Sequence, residues 1–381
     1  MPFDMSLVQC GARLRRSPYY EAEQRHGPVG YTVYNHMLFP IAYDDLEAEY
    51  WHLLNHVTLW DVAVERCLEI SGPDGFEFTQ LMTPRDLGKC AVGQAKYVLV
   101  TAPDGGILND PVLTRMDENR FWLAQASSDV LFYAKGLAAH AGMNVQIREA
   151  DVSPLQIQGP RSKDVVSDLF GEGILDLRYY YFTETDIDGI PVVVTRTGWT
   201  SEVGYEVYLC DGSRGAELWD RIMQAGEPYD IRPTGPSDIR RIEGGIFNWG
   251  ADMTYDNNPF EMGLERLVNL DIDAEFMGKR ALERIKAEGV ARKIVGVEFD
   301  GDAFPTLNFT KWPVAVGGQA VGTVTSAVHS PRLRKNIGYA WVPTELASEG
   351  ATLEVDGEWG DRTATVVPMP FIDPDKRIPV S

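Results

Sequence analysis

The residues best suited to chemistry fall in two stretches. In Thr195-Arg-Thr-Gly-Trp-Thr-Ser-Glu-Val-Gly-Tyr-Glu-Val-Tyr208, Arg196 offers a fixed cation, Trp199 an aromatic face, and Glu202 and Glu206 acceptors for the N–H groups of a heterocycle. The β-branched run Ile190–Val194 precedes this stretch and the alternating Tyr205–Leu209 closes it, so two strands must hold a Gly-punctuated connection. On these residues alone, a hairpin with solvated charges and core aromatics is the simpler account. The second stretch, Asp238-Ile-Arg-Arg241-Ile-Glu243-Gly-Gly-Ile-Phe-Asn-Trp249-Gly-Ala-Asp252-Met253, sets Arg, Glu, a Gly pair and an aromatic ahead of an acid in an order that neither helix nor strand periodicity requires.

Other candidates are scattered. Gly105-Gly106 introduces Ile107-Leu-Asn109-Asp110, whose polar residues either serve turn chemistry or project from a sheet edge. As a strand, Tyr179-Tyr180-Tyr181-Phe182 sends two rings to each face. Core packing explains half of that run or all of it; the alternative is a wall for a cation, worth roughly 0.5–2 kcal/mol or more when desolvated. Tyr31–Phe39 reads as a strand with His36 near its middle, either a ligand contact or a hydrogen-bonded core residue. Helix periodicity runs from Asp44 to Val57, and His52 and His56 on it form no recognisable metal site.

A chain of 381 residues exceeds what one hydrophobic core usually serves, so two or three domains are expected. The net charge of −21 argues against nucleic acid and anionic membranes as partners. No segment reaches the roughly 18 apolar residues of a membrane helix, and the N-terminus lacks the basic and apolar regions of a signal peptide. Cys10, Cys67, Cys90 and Cys210 are far apart, which points to a reducing cytoplasm and away from structural zinc. Strand-like and helix-like runs alternate from Cys67 to Ile147 as in an α+β sandwich. From Arg292 onward, short strands separated by Gly and Pro suggest a small all-β barrel or jelly roll. Dinucleotide, phosphate-loop, zinc-protease and hydrolase motifs are all missing.

Together, the two stretches resemble the folate-dependent aminomethyltransferases, the glycine cleavage T-protein family, in which R-T-G-Y-T-G-E-D-G-F-E is followed by R-L-E-A-G-hydrophobic-Y-G-x-D. Leu59-Trp-Asp-Val62, Lys96-Tyr97, Gly105–Asp110, Leu155–Pro160, Phe276–Lys279 and Val321–Pro331 extend the resemblance in a fixed order. It implies a three-domain, cloverleaf-like α+β fold around a central folate cavity. Residues 1–57 and 148–240 would form a discontinuous folate-binding domain, 58–147 and 241–288 a ferredoxin-like domain, and 289–381 the C-terminal barrel.

Three departures bear on the family member. Trp60-Asp-Val-Ala-Val-Glu-Arg66 stands where the glycine-cleavage enzyme carries Ser-His-Met after Asp-Val, Trp199 replaces a Tyr, and Asn109 replaces an Asp. With Tyr34–Leu38 and Ser153–Pro160, the chain is more similar to the dimethylsulfoniopropionate demethylases. That resemblance implies tetrahydrofolate as co-substrate and a small sulfonium as methyl donor. Asp110 would face the reacting nitrogen, with Asn109 and Tyr97 beside it, while Tyr97, Glu206, Arg241 and Trp199 hold folate. Trp199, Tyr180, Phe182, Tyr208 and His36 would surround the substrate, and no metal is implied. Arg241 would pair with a carboxylate of folate or of substrate; Arg332, Arg334 and Lys335 form either a solvated loop or a site for the folate glutamate tail. Aminomethyl transfer, demethylation of a betaine or dimethylglycine, and non-catalytic folate binding stay open as alternatives.

Overall fold

A computed structural model describes residues 11–381, so Cys10 and the region read for a signal peptide lie outside the described residues. The remaining cysteines Cys67, Cys90 and Cys210 are free thiols. Among the described residues no helix is long and apolar enough to cross a membrane.

Three sheets carry the architecture. The first is antiparallel and five-stranded, in the order Gln146–Glu149, Cys67–Ser71, Arg120–Ala124, Val112–Asp117, Ala95–Tyr97. The helices Gly75–Met82 and Val130–Ala141 cover it, and Leu68, Ile70, Phe78, Phe121, Leu123 and Leu137 form the core between them. Burying such apolar surface at roughly 25 cal/mol per Å² is what docks the helices.

The second sheet has six strands, in the order Phe182–Ile187, Ile190–Thr195, Gly204–Leu209, Ser153–Gln158, Val57–Asp61, Ile231–Pro233, and only the last pairing is parallel. Gly215–Gly226 is an amphipathic helix that buries Leu218, Trp219 and Ile222 against it. In the third unit, six strands between Arg292 and Val367 close into a barrel, which leaves no open edge.

Several local expectations change. Val57–Asp61 hydrogen-bonds to Ser153–Gln158, so the six-stranded sheet extends past the boundary expected after residue 57. The segment 241–288 divides between two units: Glu243 accepts from Ser330 Oγ of the barrel at 2.6 Å, whereas Asn269 and Met277 donate backbone hydrogen bonds to Pro84 and Leu81 beside the five-stranded sheet. The strand expected over Tyr31–Phe39 is a hairpin, Gly30–Tyr34 with Met37–Ala42, and its turn residues Asn35 and His36 adopt positive φ. The helix predicted over Asp44–Val57 forms at Leu46–Asn55, with the Asp45 carboxylate capping the Glu47 and Ala48 amides.

Candidate functional site

The three units and the hairpin enclose an open cavity of ≈ 1980 Å³. Asp110 stands in its wall, just beyond the strand Ile107–Asn109. Strand alternation sends the neighbouring Asn109 the other way: its amide donates to Ala126 O at 2.9 Å and Ser128 Oγ at 2.7 Å and accepts from the Ala126 amide. Asn109 therefore anchors a loop and does not line the cavity, contrary to the expected catalytic role.

Tyr97 donates its phenol hydrogen to Asp110 Oδ2 at 2.9 Å, while Asp110 Oδ1 is buried without a partner. Burial raises the Asp110 carboxyl to about 7, against the opposing pull of the Tyr97 hydrogen bond. This pair gives the cavity a proton acceptor poised near neutrality with one oxygen free for a ligand.

Trp199 also lines the cavity. Gln158 fixes its loop by donating to Thr197 O at 3.2 Å and accepting from Thr200 Oγ1 at 2.7 Å. A Cβ at Gly198 or Gly204 would lie 2.2 or 2.4 Å from that Gln158 side chain, which explains the glycines bracketing Trp199. The Arg241 guanidinium sits 5.9 Å from the Trp199 ring, and so supports it from the protein side. Of the other charges in this stretch, Arg196 donates to the carbonyls of Leu177 and Val380, and Glu202 pairs with Arg240 at 2.7 Å.

Tyr180 lines the cavity as expected, but in a loop: the strand begins only at Phe182, and Tyr180 has positive φ. The Tyr180 amide donates to Arg196 O, the Tyr180 carbonyl accepts from the Ala95 amide, and Tyr179 meets the Tyr180 ring edge-on at 4.8 Å. Phe182 packs instead in an apolar cluster with Cys67, Trp122 and Val193. Tyr208 is buried in the same cluster and donates to Glu206 Oε2 at 3.1 Å. His36 is exposed in its hairpin turn. These three are not in the cavity wall.

Glu206 lies one layer behind the wall. Its Oε1 accepts from Gln156 Nε2 at 2.7 Å and its Oε2 from Thr197, Thr195 and Tyr208 hydroxyls, so it reaches the cavity through Gln156. Gln156 does line the cavity, and its Oε1 has no donor. Arg241 is likewise withdrawn from ligand: it is buried and pairs with Asp252 at 2.8 Å, Asp238 at 2.6 Å and Ser326 Oγ at 2.9 Å. Asp252 in turn accepts from Thr325 at 2.7 Å, so Arg241 ties the central helix Asp238–Glu243 to the barrel.

Two groups in the cavity wall escaped the sequence reading. Glu65 faces the cavity, with the neighbouring Arg66 turned away to Glu149 at 3.0 Å. Burial, then the fields of Glu206 and Asp110, push its carboxyl well above the usual range. The departure at Trp60–Arg66 was the visible trace of it. The second group, Arg85, Lys96, Arg266 and Lys376, forms the basic part of the wall. Of the two readings of Arg332, Arg334 and Lys335, the folate-tail site is not formed: Arg332 reaches Glu202 at 3.9 Å, Lys335 pairs with Glu298 at 2.7 Å, and neither they nor Arg334 line the cavity. Tyr97 and Tyr180 each feel both an acid and Arg266: Asp110 for Tyr97 and Glu206 for Tyr180.

Outside the cavity, His52 and His56 stack at 4.7 Å and each places Nδ1 3.9 Å from Asp230 Oδ2. Arg232 already pairs with that carboxylate at 3.0 Å.

Fold and cavity together define a class, and the comparisons agree with it. Residues 19–272 match the model of the GCVT N-terminal domain and residues 292–373 that of the glycine cleavage T-protein C-terminal barrel domain. The chain belongs to the glycine cleavage T-protein family. It is 38% identical to the dimethylsulfoniopropionate demethylase of Ruegeria pomeroyi, over 95% of this chain and 98% of that protein. It is 31% identical to the aminomethyltransferase of Symbiobacterium thermophilum, over 94% and 97% respectively. The fold matches the crystal structure of the glycine cleavage system aminomethyltransferase T from Bartonella henselae with a TM-score of 0.85, at 24% identity and covering 94% of this chain and 98% of that one.

Proposed function

We propose that this protein is a tetrahydrofolate-dependent demethylase that moves a methyl group from dimethylsulfoniopropionate to N-5 of tetrahydrofolate, giving methylmercaptopropionate and 5-methyltetrahydrofolate. The 38% identity to a demethylase of that substrate supports the donor. The observation that carries the chemistry is the free Oδ1 of Asp110, buried in the wall beside Tyr97. An orphaned, partly neutralised carboxylate suits a nitrogen that gains a methyl group and must shed a proton.

The transfer is a displacement. The bond from methyl carbon to sulfur breaks with its electron pair staying on sulfur, the N-5 lone pair forms the new bond, and Asp110 Oδ1 takes the N-5 proton. A sulfonium needs no acid to leave, so the protein's task is to align donor and acceptor, an effect worth up to roughly 7–11 kcal/mol. Tyr97 holds Asp110 in place and keeps it ionisable through its hydrogen bond. Trp199 and Tyr180 line the space beside this pair and offer faces to the cation. Arg85, Lys96, Arg266 and Lys376 take the carboxylates of donor and folate, the role expected of Arg241.

Incubation with tetrahydrofolate and dimethylsulfoniopropionate, glycine betaine or dimethylglycine, followed by mass spectrometry, tests the reading. Methyl-tetrahydrofolate is expected with the sulfonium alone. Product from the betaine or from dimethylglycine alone would replace the sulfonium reading.

A further inference from the structure

We infer that Glu65 and Gln156 form the onium subsite of the cavity, with Glu65 the counter-ion that selects a positively charged methyl donor over its neutral counterpart. The inference rests on the demethylase reading for the donor's identity, but its observations are independent of the family. Glu65 lines the cavity and, among the described residues, has no salt bridge and no side-chain hydrogen bond. The cation next to it in sequence, Arg66, is committed to Glu149. Gln156 is only 1% exposed, lines the same wall, and keeps Oε1 without a donor because its amide nitrogen is spent on Glu206.

When no cation is near, burial and the acids Glu206 and Asp110 hold the Glu65 carboxyl toward its neutral form; an onium placed beside it favours the ionised form, and the buried Gln156 amide oxygen still lacks a donor. A ligand rich in N–H groups would satisfy the Gln156 amide oxygen but would not relieve the crowding of Glu65 against the acids Glu206 and Asp110. A fixed-charge onium meets both through charge and polarised methyl C–H groups. Glu206 acts here as a positioning residue, since it turns the Gln156 amide so that oxygen faces the cavity. The division of labour follows: Glu65 holds the charge on sulfur before transfer, and Asp110 receives the proton after the charge has passed to nitrogen. Once sulfur becomes a neutral thioether, the attraction of Glu65 vanishes and the product is released.

The test compares equilibrium binding of dimethylsulfoniopropionate and methylmercaptopropionate, its product with the same carboxylate but an uncharged sulfur, to the wild type, Glu65→Gln and Glu65→Asp. A second pair, glycine betaine and 3,3-dimethylbutyrate, its carbon isostere with an uncharged head, is measured alongside, with tetrahydrofolate binding as control. The wild type should prefer the charged head over the uncharged one by on the order of tenfold or more, Glu65→Gln should erase that preference while keeping thioether and folate affinity, and Glu65→Asp should restore part of it. A preference unchanged in Glu65→Gln, absent in the wild type for both pairs, or lost together with folate binding would overturn the inference. Glu65-dependent preference confined to the betaine pair would uphold Glu65 while removing the sulfonium reading. Wild-type turnover of the sulfonium with discrimination intact in Glu65→Gln would do the reverse.

Discussion

Tyr97 donates to Asp110 Oδ2 at 2.9 Å and leaves Asp110 Oδ1 as an unpaired, buried acceptor in the cavity wall. One phenol thus orients the carboxyl and restrains the upward shift that burial imposes on it.

Replacing Asp110 with Asn should slow methyl transfer by ~10²–10⁴-fold while folate affinity is largely kept, because a general base is lost and a shape is retained. Single-turnover kinetics and folate titration check this. Since Asp110 titrates near 7, the wild-type rate should climb as pH rises through that value, and the residual rate of the Asn variant should lack that limb.

The same substitution should stabilise the protein in alkaline solution. Burial raises the folded carboxyl from 3.8 to about 7, so folding favours its protonated form. Its stabilising contribution is complete below 3.8 and is lost as pH rises through about 7, a cost of up to about 4 kcal/mol at pH 8. Denaturant titrations should show Asp110→Asn more stable than wild type at pH 8, with the gap closing by pH 4.

Tyr97→Phe removes the hydrogen bond that lowers the Asp110 carboxyl. The rising limb of the rate profile should move to higher pH, and the rate at pH 7 should fall on the order of tenfold. A limb left in place would show that Asp110 is not the titrating group.

How far the sequence foretold this site depended on whether a role was local. Asp110, Tyr97, Trp199 and Tyr180 stand in the wall, because a turn and strand ends place them almost regardless of the rest of the chain. Arg241 was misplaced for a long-range reason: Asp252 and Ser326 come from segments whose approach no local pattern encodes. Glu206, Tyr208 and Phe182 share the sheet face of Gln156, but Glu206 is held behind the Gln156 amide and the other two are covered by the apolar cluster with Cys67, Trp122 and Val193. Arg85, Lys96, Arg266 and Lys376 are dispersed along the chain and become one group only when the units meet. The barrel and both sheets were more legible, since strand periodicity and Gly/Pro spacing recur within each.

Arg241→Met should destabilise the protein by roughly 3–5 kcal/mol, since it strands Asp252 without its cation. Folate affinity of the folded fraction should stay unchanged. A selective loss of folate binding at wild-type stability would return Arg241 to the ligand.

Trp199→Ala should raise the KM for the sulfonium by roughly 3- to 30-fold, the equivalent of a cation–π contact, and alter folate binding far less. Equal losses in both would remove Trp199 from the cation wall.

The most direct test of methyl transfer uses dimethylsulfoniopropionate carrying fully deuterated methyl groups, mixed with enzyme and tetrahydrofolate under single-turnover conditions. The displacement account predicts 5-methyltetrahydrofolate that holds all three deuterons of one methyl group, together with one equivalent of methylmercaptopropionate. Folate product that has lost a deuteron, or thioether formed without methylated folate, would contradict it.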